Sequence, residues 1–399
     1  MPHLSNKGIQ LPTSPIRKLV VYSDQAKAKG IEVYHLNIGQ PDIAAPKEAI
    51  EAVKNADLTL LPYGPSQGTL TYRQKLCAYY KKHDISVEPD DVLVTTGASE
   101  ALTFALNVIC DAGDEIIIPE PFYANYNGFA SAASVDVIPV VSEFTSQFQL
   151  PALENISGKI TEKTKAILLC NPSNPTGYVY SKKEINALVE LAIEKDIFLI
   201  VDEVYREFIH GGNEHYSVLQ HPKGANHTVM IDSVSKRYSL CGARVGCIVS
   251  KNNALIENVL KFAHLRLSPP TYALMASEAA LDAPASYLEE VIAEYGKRRD
   301  VLIEHLEKIP NVEVSHPMGA FYCIVKLPVA DAEYFSKYLL TDFNDDNQTV
   351  MLAPARGFYS TPGIGLNEVR IAFILDSKKL IRAVSILEKA LIAYQKLVS

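Results

Sequence analysis

The feature that most restricts what this chain can fold into is a repeated pattern: a short continuous apolar run, a small or polar residue, then a segment with helical spacing. Asp91-Val-Leu-Val-Thr-Thr runs into Gly97, and Ser99 to Ile109 then sets Leu102, Ala105, Leu106 and Ile109 on one helical stripe. Comparable runs occur at Glu115-Ile-Ile-Ile-Pro, Val135 to Val141, Lys165-Ala-Ile-Leu-Leu-Cys, Phe198-Leu-Ile-Val-Asp, Val229-Met-Ile-Asp and Val245-Gly-Cys-Ile-Val-Ser. Runs that do not alternate belong to strands buried on both faces, which occur in parallel or mostly parallel sheets. Between two of them, Lys182 to Glu194 places Ile185, Leu188, Val189 and Ala192 on one stripe, and Ala254 to Leu265 is also helical. Helices therefore cover the sheet, and the expected fold is α/β.

The texture changes after about residue 280. A long helix is expected from Ser286 to Lys308, strands at Ala320 to Lys326 and Val369 to Leu375, and a terminal helix from about Ser377 with Leu380, Val384, Leu387 and Leu391 in register. The chain start is polar, with a first helix beginning near Pro15. These segments divide the chain into an arm and part of a small domain (1–45), a large domain (46–280) and the rest of the small domain (281–399). A length of 399 residues suits one large core with a smaller companion.

Composition removes several function classes. With 38 Lys and Arg against 46 Asp and Glu, the net charge is −8 and no basic block is present, so nucleic acid is not an expected partner. No apolar run reaches the roughly 18 to 20 residues of a membrane span, and the N-terminus lacks an apolar signal core; a cytoplasmic protein is expected. The six cysteines include no Cys-x-x-Cys pair and read as reduced thiols. His210, His215, His221 and His227, with Glu207 and Glu214, fit no helix face or zinc spacing and read as a polar loop, so no metal is expected.

The chemistry is concentrated in five stretches. Asp232-Ser-Val-Ser-Lys-Arg-Tyr-Ser-Leu-Cys-Gly-Ala-Arg-Val-Gly246 sets Ser233 and Ser235 beside Lys236, with Arg244 between Gly242 and Gly246. Hydroxyls and a guanidinium bind phosphate oxygens, and a desolvated lysine near another cation becomes nucleophilic; the competing reading is a solvated basic loop. Asp202-Glu-Val-Tyr205 closes a buried run at the strand end where open α/β sheets bind ligands. There Asp202 either meets a protonated heterocyclic nitrogen or serves as a turn residue. Asn171-Pro-Ser-Asn-Pro-Thr-Gly177 is a stiff turn able to aim Asn174. Gly97-Ala98-Ser99 opens a helix after a strand and forms an anion site, with Ser99 as ligand, N-cap or both. Tyr123, in Pro119-Glu-Pro-Phe-Tyr-Ala-Asn-Tyr126, is either a stacking ring or a core tyrosine.

Taken in order over nearly the whole chain, these pieces resemble the fold-type I pyridoxal-phosphate aminotransferases of class I/II. The match adds Gly39-Gln-Pro-Asp, Tyr63-Gly-Pro-Ser-Gln-Gly68 and Arg370 in Glu368-Val-Arg-Ile-Ala-Phe. The resemblance implies a mostly parallel seven-stranded sheet in the large domain and an α/β small domain built from both chain ends. It implies pyridoxal 5′-phosphate held covalently by Lys236, paired through its ring nitrogen with Asp202, bonded at its ring oxygen by Asn174 and Tyr205, and stacked by Tyr123. Ala98, Ser99, Ser233, Ser235 and Arg244 would hold the phosphate, joined by Tyr63 from the second subunit of a homodimer. Arg370, with Gly39 and Asn174, would bind the α-carboxylate of amino acid and 2-oxo acid substrates.

Departures from the family pattern bear on the substrate. Ser99 stands where aspartate-specific members often carry a lysine, and Ala355 stands where a turn glycine is usual. Ser14-Pro-Ile-Arg-Lys18 resembles the start of aromatic and broad-specificity members, which makes Arg17 a candidate at the substrate mouth, and Arg356, next to Ala355, is a candidate for a distal carboxylate. Phe358 and Tyr359 are candidates for an apolar pocket. The expected activity is ping-pong transfer from aspartate or another small or acidic amino acid to 2-oxoglutarate, with an aromatic aminotransferase or a lyase of the same fold as alternatives. A dehydrogenase reading rests only on Gly363-Ile-Gly-Leu-Asn-Glu368, which lacks the third glycine and lies near the C-terminus.

Overall fold

The computed structural model describes residues 2–11 and 17–398. The expected helix start near Pro15 lies outside the described residues; the chain is helical at Val20–Ala28. In chain order the strands are β1 (Glu32–His35), β2 (Val92–Thr95), β3 (Glu115–Glu120), β4 (Asp136–Val141), β5 (Thr164–Cys170), β6 (Phe198–Asp202) and β7 (Thr228–Ser233). They continue with β8 (Gly246–Val249), β9 (Glu313–Val314), β10 (Tyr322–Lys326), β11 (Gln348–Met351), β12 (Ala353–Pro354) and β13 (Glu368–Ala372).

Seven strands form one sheet in the order β2-β8-β7-β6-β5-β3-β4. β8 runs antiparallel to both its neighbours, and the other pairs are parallel. Strand periodicity divides each apolar run between the two faces. Leu168, Ile200, Ile231 and Ile248 join one core under the helix Gly97–Ile109, which contributes Leu102, Ala105 and Leu106. Ile167, Leu199, Val201, Met230 and Val249 join the other core under the helix Lys182–Lys195, which contributes Ile185, Leu188, Val189 and Ala192. That helix starts at a capping box, in which Ser181 accepts from the Glu184 N–H and the Glu184 carboxylate accepts from the Ser181 N–H at 2.7 Å. The run Val135 to Val141 departs from expectation: β4 is the sheet edge, with one neighbour, and most of it is only partly covered.

The sheet register builds the site. Cys170 is opposite Asp202, Asp202 opposite Ile231, Ser233 opposite Gly246, and Gly246 opposite Thr95. The carboxyl ends of β2, β5, β6 and β7 therefore finish at one edge of the sheet.

A second, antiparallel sheet, β12-β13-β10-β9, stands against that edge. An isolated bridge from Ile209 to Gly319 and an edge contact of Phe208 with Phe321 at 5.2 Å join the two. β1 pairs in parallel with β11, tying residues 32–35 to 348–351. The helices Ala285–Leu306 and Ser377–Val398 fall close to the expected spans. β1, β9, β11 and β12 have no counterpart in the sequence reading: β9 and β12 have two residues each, and β1 (Glu-Val-Tyr-His) and β11 (Gln-Thr-Val-Met) lack a continuous apolar run.

Candidate active site

A cavity of about 600 Å³ opens where the carboxyl ends of the large sheet face the small sheet. Gly97 takes a positive φ of 78° after β2, and a Cβ there would strike the Arg244 guanidinium. Glycine at 97 thus lets Arg244 lie across the start of the helix Gly97–Ile109, where Ala98 and Ser99 line the cavity. Ser233, at the end of β7, accepts from the Ser235 N–H at 3.1 Å and lies 2.8 Å from the Ser235 hydroxyl. Below this turn, the buried Asp232 accepts from Tyr80 at 2.9 Å and pairs with the buried Arg237.

Lys236 follows on the same turn, and its Nζ donates to the Gly39 carbonyl at 2.7 Å. Burial holds its pKa below the ordinary lysine value, and the charges of Arg370 and Arg244 act in the same sense. Asp202 is buried at the end of β6, accepting from the Tyr126 hydroxyl at 2.9 Å and the Val204 N–H at 3.3 Å. Burial pushes its carboxyl up to about 6 against the pull of those two bonds. Tyr205 shares a 2.8 Å hydrogen bond with Tyr322. Tyr123 lines the cavity, its hydroxyl accepting from Asn125 at 2.8 Å and its ring edge-on to Tyr126 at 5.4 Å.

The opposite wall belongs to the small sheet. Arg370, 1% exposed in the middle of β13, donates to Asn174 Oδ1 at 2.9 Å and to the Asn37 carbonyl. Its guanidinium stacks on Tyr322 at 4.4 Å and on Phe358 at 5.0 Å, and its Nε has no partner among the described residues. A buried guanidinium with a spare donor beside a cavity is suited to a carboxylate.

Of the residues expected to hold the cofactor or the α-carboxylate, only Tyr63 stands apart: it is 80% exposed and does not line the cavity. Arg17 lines the cavity, whereas Arg356 is exposed and does not. Phe358 and Tyr359, the candidates for an apolar pocket, do not line this cavity. Phe358 lies behind Arg370, and Tyr359 is bound to Glu368 at 2.6 Å. The histidine segment is irregular but not a solvated loop: His210 is buried and bonded to the Ala320 carbonyl at 2.9 Å, and His215 lies 3.5 Å from Glu203. Among the described residues no group of three His, Cys, Asp or Glu is placed to hold a metal.

Three contributors were missed by sequence reasoning. Tyr126 had a signal, since it closes the same motif as Tyr123, and it is Tyr126 that donates to Asp202. Tyr322 and Asn37 had none; each looks like an ordinary residue near an apolar strand.

The sequence profile of aminotransferase class I and II matches residues 31–387. The chain belongs to this family. An aspartate aminotransferase of Bacillus sp. strain YM-2 is 30% identical over 369 residues, covering 89% of this chain and 92% of that protein. The structure of the Thermus thermophilus aspartate aminotransferase with maleate superposes with a TM-score of 0.89 at 26% identity, over 98% of this chain and 100% of that one. An alanine aminotransferase of Pyrococcus furiosus superposes with a TM-score of 0.90 at 29% identity, over 98% and 100% respectively. In this aminotransferase the helix N-terminus, the paired serines, the buried acid and the two arginines thus surround one cavity.

Proposed function

We propose that this aminotransferase works with pyridoxal 5′-phosphate and moves an amino group from aspartate or a related acidic amino acid to 2-oxoglutarate. The observation that carries the reading is that Lys236, Asp202 and Arg370 line one cavity, the acid buried without a cation bonded to it and the arginine with an unused Nε. The residues present fit that cofactor. Arg244, lying over the glycine at 97, with Ala98, Ser99, Ser233 and Ser235, makes a cradle for a phosphate. Asp202 needs a cationic or N–H partner to ionise fully where it is buried, and a pyridine nitrogen supplies one. Asn174 and Tyr205 supply donors to the ring oxygen and Tyr123 a flat face, while Lys236 holds the cofactor through its amine.

Bound there, the cofactor supplies an electron-accepting ring that makes the substrate Cα–H acidic. The chain supplies the remainder. Arg370 fixes the α-carboxylate with two parallel donors, which orients the Cα–H bond. Lys236 Nζ would take the Cα proton and return it, and burial, by lowering its pKa, favours the free base. Gly39, whose carbonyl holds Lys236 Nζ, positions it on the substrate side. A cavity with one such carboxylate clamp accepts amino acid and 2-oxo acid in turn, which is ping-pong kinetics.

Charge decides the donor. Among the described residues four cations line the cavity, Arg17, Lys236, Arg244 and Arg370, against the single acid Asp202. The phosphate, the α-carboxylate and the covalent link use three of them, leaving Arg17 for a second carboxylate. Without Phe358 and Tyr359 in the lining, the aromatic alternative loses its pocket.

The proposal extends to a homodimer. Leu60, Leu61, Tyr63, Leu265 and Leu267 are exposed apolar side chains, and their two segments meet where Gly64 approaches Ser268. Covering this patch with a second copy would bring Tyr63 to the other subunit's phosphate cradle. The division 1–45, 46–280 and 281–399 belongs to the same proposal. Among the described residues no helix is long and apolar enough to cross a membrane.

The test is to mix cofactor-loaded protein with single amino acids, without acceptor, and record conversion of the bound cofactor to its amino form. Aspartate and glutamate are expected to convert it. Faster conversion by phenylalanine or tyrosine overturns the acidic donor, and release of ammonia and pyruvate without acceptor overturns transamination. An Arg17→Gln variant is expected to lose about tenfold for dicarboxylates.

A further inference from the structure

Tyr322 is not among the residues to which the family resemblance gives a role, yet its side chain touches three parts of the proposed machinery. It is 2% exposed on β10, the strand next to β13, and lines the cavity. Its hydroxyl is 2.8 Å from the Tyr205 hydroxyl, its ring lies 4.4 Å from the Arg370 guanidinium, and a Cβ on residue 39 would overlap it. Residue 39 carries the carbonyl that holds Lys236 Nζ. A glycine there leaves the space Tyr322 fills.

The hydrogen bond between the two tyrosines has a direction that matters. Each phenol has one proton, and each is the other's only hydrogen-bond partner among the described residues. If Tyr205 donates, its proton is consumed within the protein. If Tyr322 donates, the Tyr205 proton is left to point into the cavity. The environment favours the second arrangement. Burial raises the pKa of both phenols, but Arg370, stacked on the Tyr322 ring, opposes that rise most strongly at Tyr322 and makes it the readier donor.

We infer that Tyr322 is a positioning residue: by donating its hydroxyl proton to the Tyr205 oxygen, it turns the Tyr205 proton toward the ring oxygen of the bound cofactor. The inference rests on the cofactor reading above. It links the substrate wall to the cofactor wall through one hydrogen bond, so that the cation that grips the α-carboxylate also orders the donor on the cofactor.

The experiment is a pH titration of the visible absorbance of the cofactor bound to Lys236, in purified holoenzyme. A hydrogen bond donated to the ring oxygen favours the form in which the adjoining nitrogen has lost its proton, so weakening that bond raises the midpoint. Tyr322→Phe keeps the ring on Arg370 and removes only the hydroxyl; its midpoint is expected to rise by about half a pH unit, the scale of one ordinary hydrogen bond. Tyr205→Phe is expected to rise at least as far, and the Tyr205→Phe/Tyr322→Phe double variant to match Tyr205→Phe, because Tyr322 acts only through Tyr205. A Tyr322→Phe midpoint equal to wild type, or a double variant showing the sum of the two shifts, overturns the inference. Should Tyr322→Phe fail to hold cofactor, 3-fluorotyrosine at position 322 keeps the hydroxyl and makes it more acidic. The midpoint must then fall, and a rise or no change overturns the inference. If wild-type protein shows no titrating absorbance that depends on Lys236, the cofactor reading itself has failed, which is a different result from an unmoved Tyr322 variant.

Discussion

The two walls of the cavity present their functional groups by opposite means. On the large sheet, Asp202 and Ser233 are the last residues of β6 and β7, and Lys236 sits on the turn just beyond. They project where the backbone ladder has stopped, held by local devices such as the Ser233 hydroxyl accepting the Ser235 N–H. On the small sheet, Arg370 sits in the middle of β13, opposite Ile324 on one side and Ala353 on the other. It is held by groups far away in sequence: the Asn37 carbonyl, Asn174 and the faces of Tyr322 and Phe358. Strand ends suit a phosphate and a ring that need many converging donors. A mid-strand guanidinium, rigid and desolvated, suits one carboxylate in one orientation.

Three measurements test this division. The largest effect is expected for Lys236→Ala, which removes both the covalent anchor and the proton carrier. Multiple-turnover activity should fall by about 10⁴-fold or more, and retained turnover would show that another group does this work.

Asp202 offers a stability test on the same wall in cofactor-free protein. Its folded pKa, about 6, lies above the ordinary 3.8, so the native state holds its proton more tightly than the unfolded chain does. That contribution is full below the unfolded value and is lost as pH rises through the folded one. The unfolding free energy of wild type minus that of Asp202→Asn should therefore fall by about 2 kcal/mol between pH 4 and pH 7. A difference that stays flat would mean that the acid is better solvated or better paired than its surroundings indicate.

On the opposite wall, Arg370→Gln should raise KM for amino acid by roughly 10- to 100-fold, the scale of one charge-assisted hydrogen bond, with the cofactor still bound. Loss of cofactor from that variant would break the division between the walls.

The same contrast explains what could be read in advance. Every strand of the large sheet had been anticipated, because a strand covered on both faces needs a continuous apolar run, and the ligand-facing residue comes next. The edge strand β4 is less buried than its apolar run implies, since such a run does not say whether a strand has one neighbour or two. Lys236, Asp202 and Ser233 carried their own signal as polar residues interrupting such runs. Tyr322 did not, being one aromatic in an apolar strand, and its contacts with Gly39, Tyr205 and Arg370 come from three distant segments. Arg17 and Arg356 were equivalent candidates by composition, and only the path of the chain separated them.

The amino-acid order by itself determined the layered α/β plan, the strand ends that meet at one edge, and the family to which the chain resembles most of its length. These depend on periodicity and on short motifs, which are local. Tertiary structure alone decided which arginine faces the cavity, that the Phe358 ring backs Arg370, and that Tyr205, beyond the end of β6, shares one hydrogen bond with Tyr322 on β10. Those outcomes depend on how two sheets dock, and docking is set by the packing of many side chains at once, which no single stretch of sequence encodes.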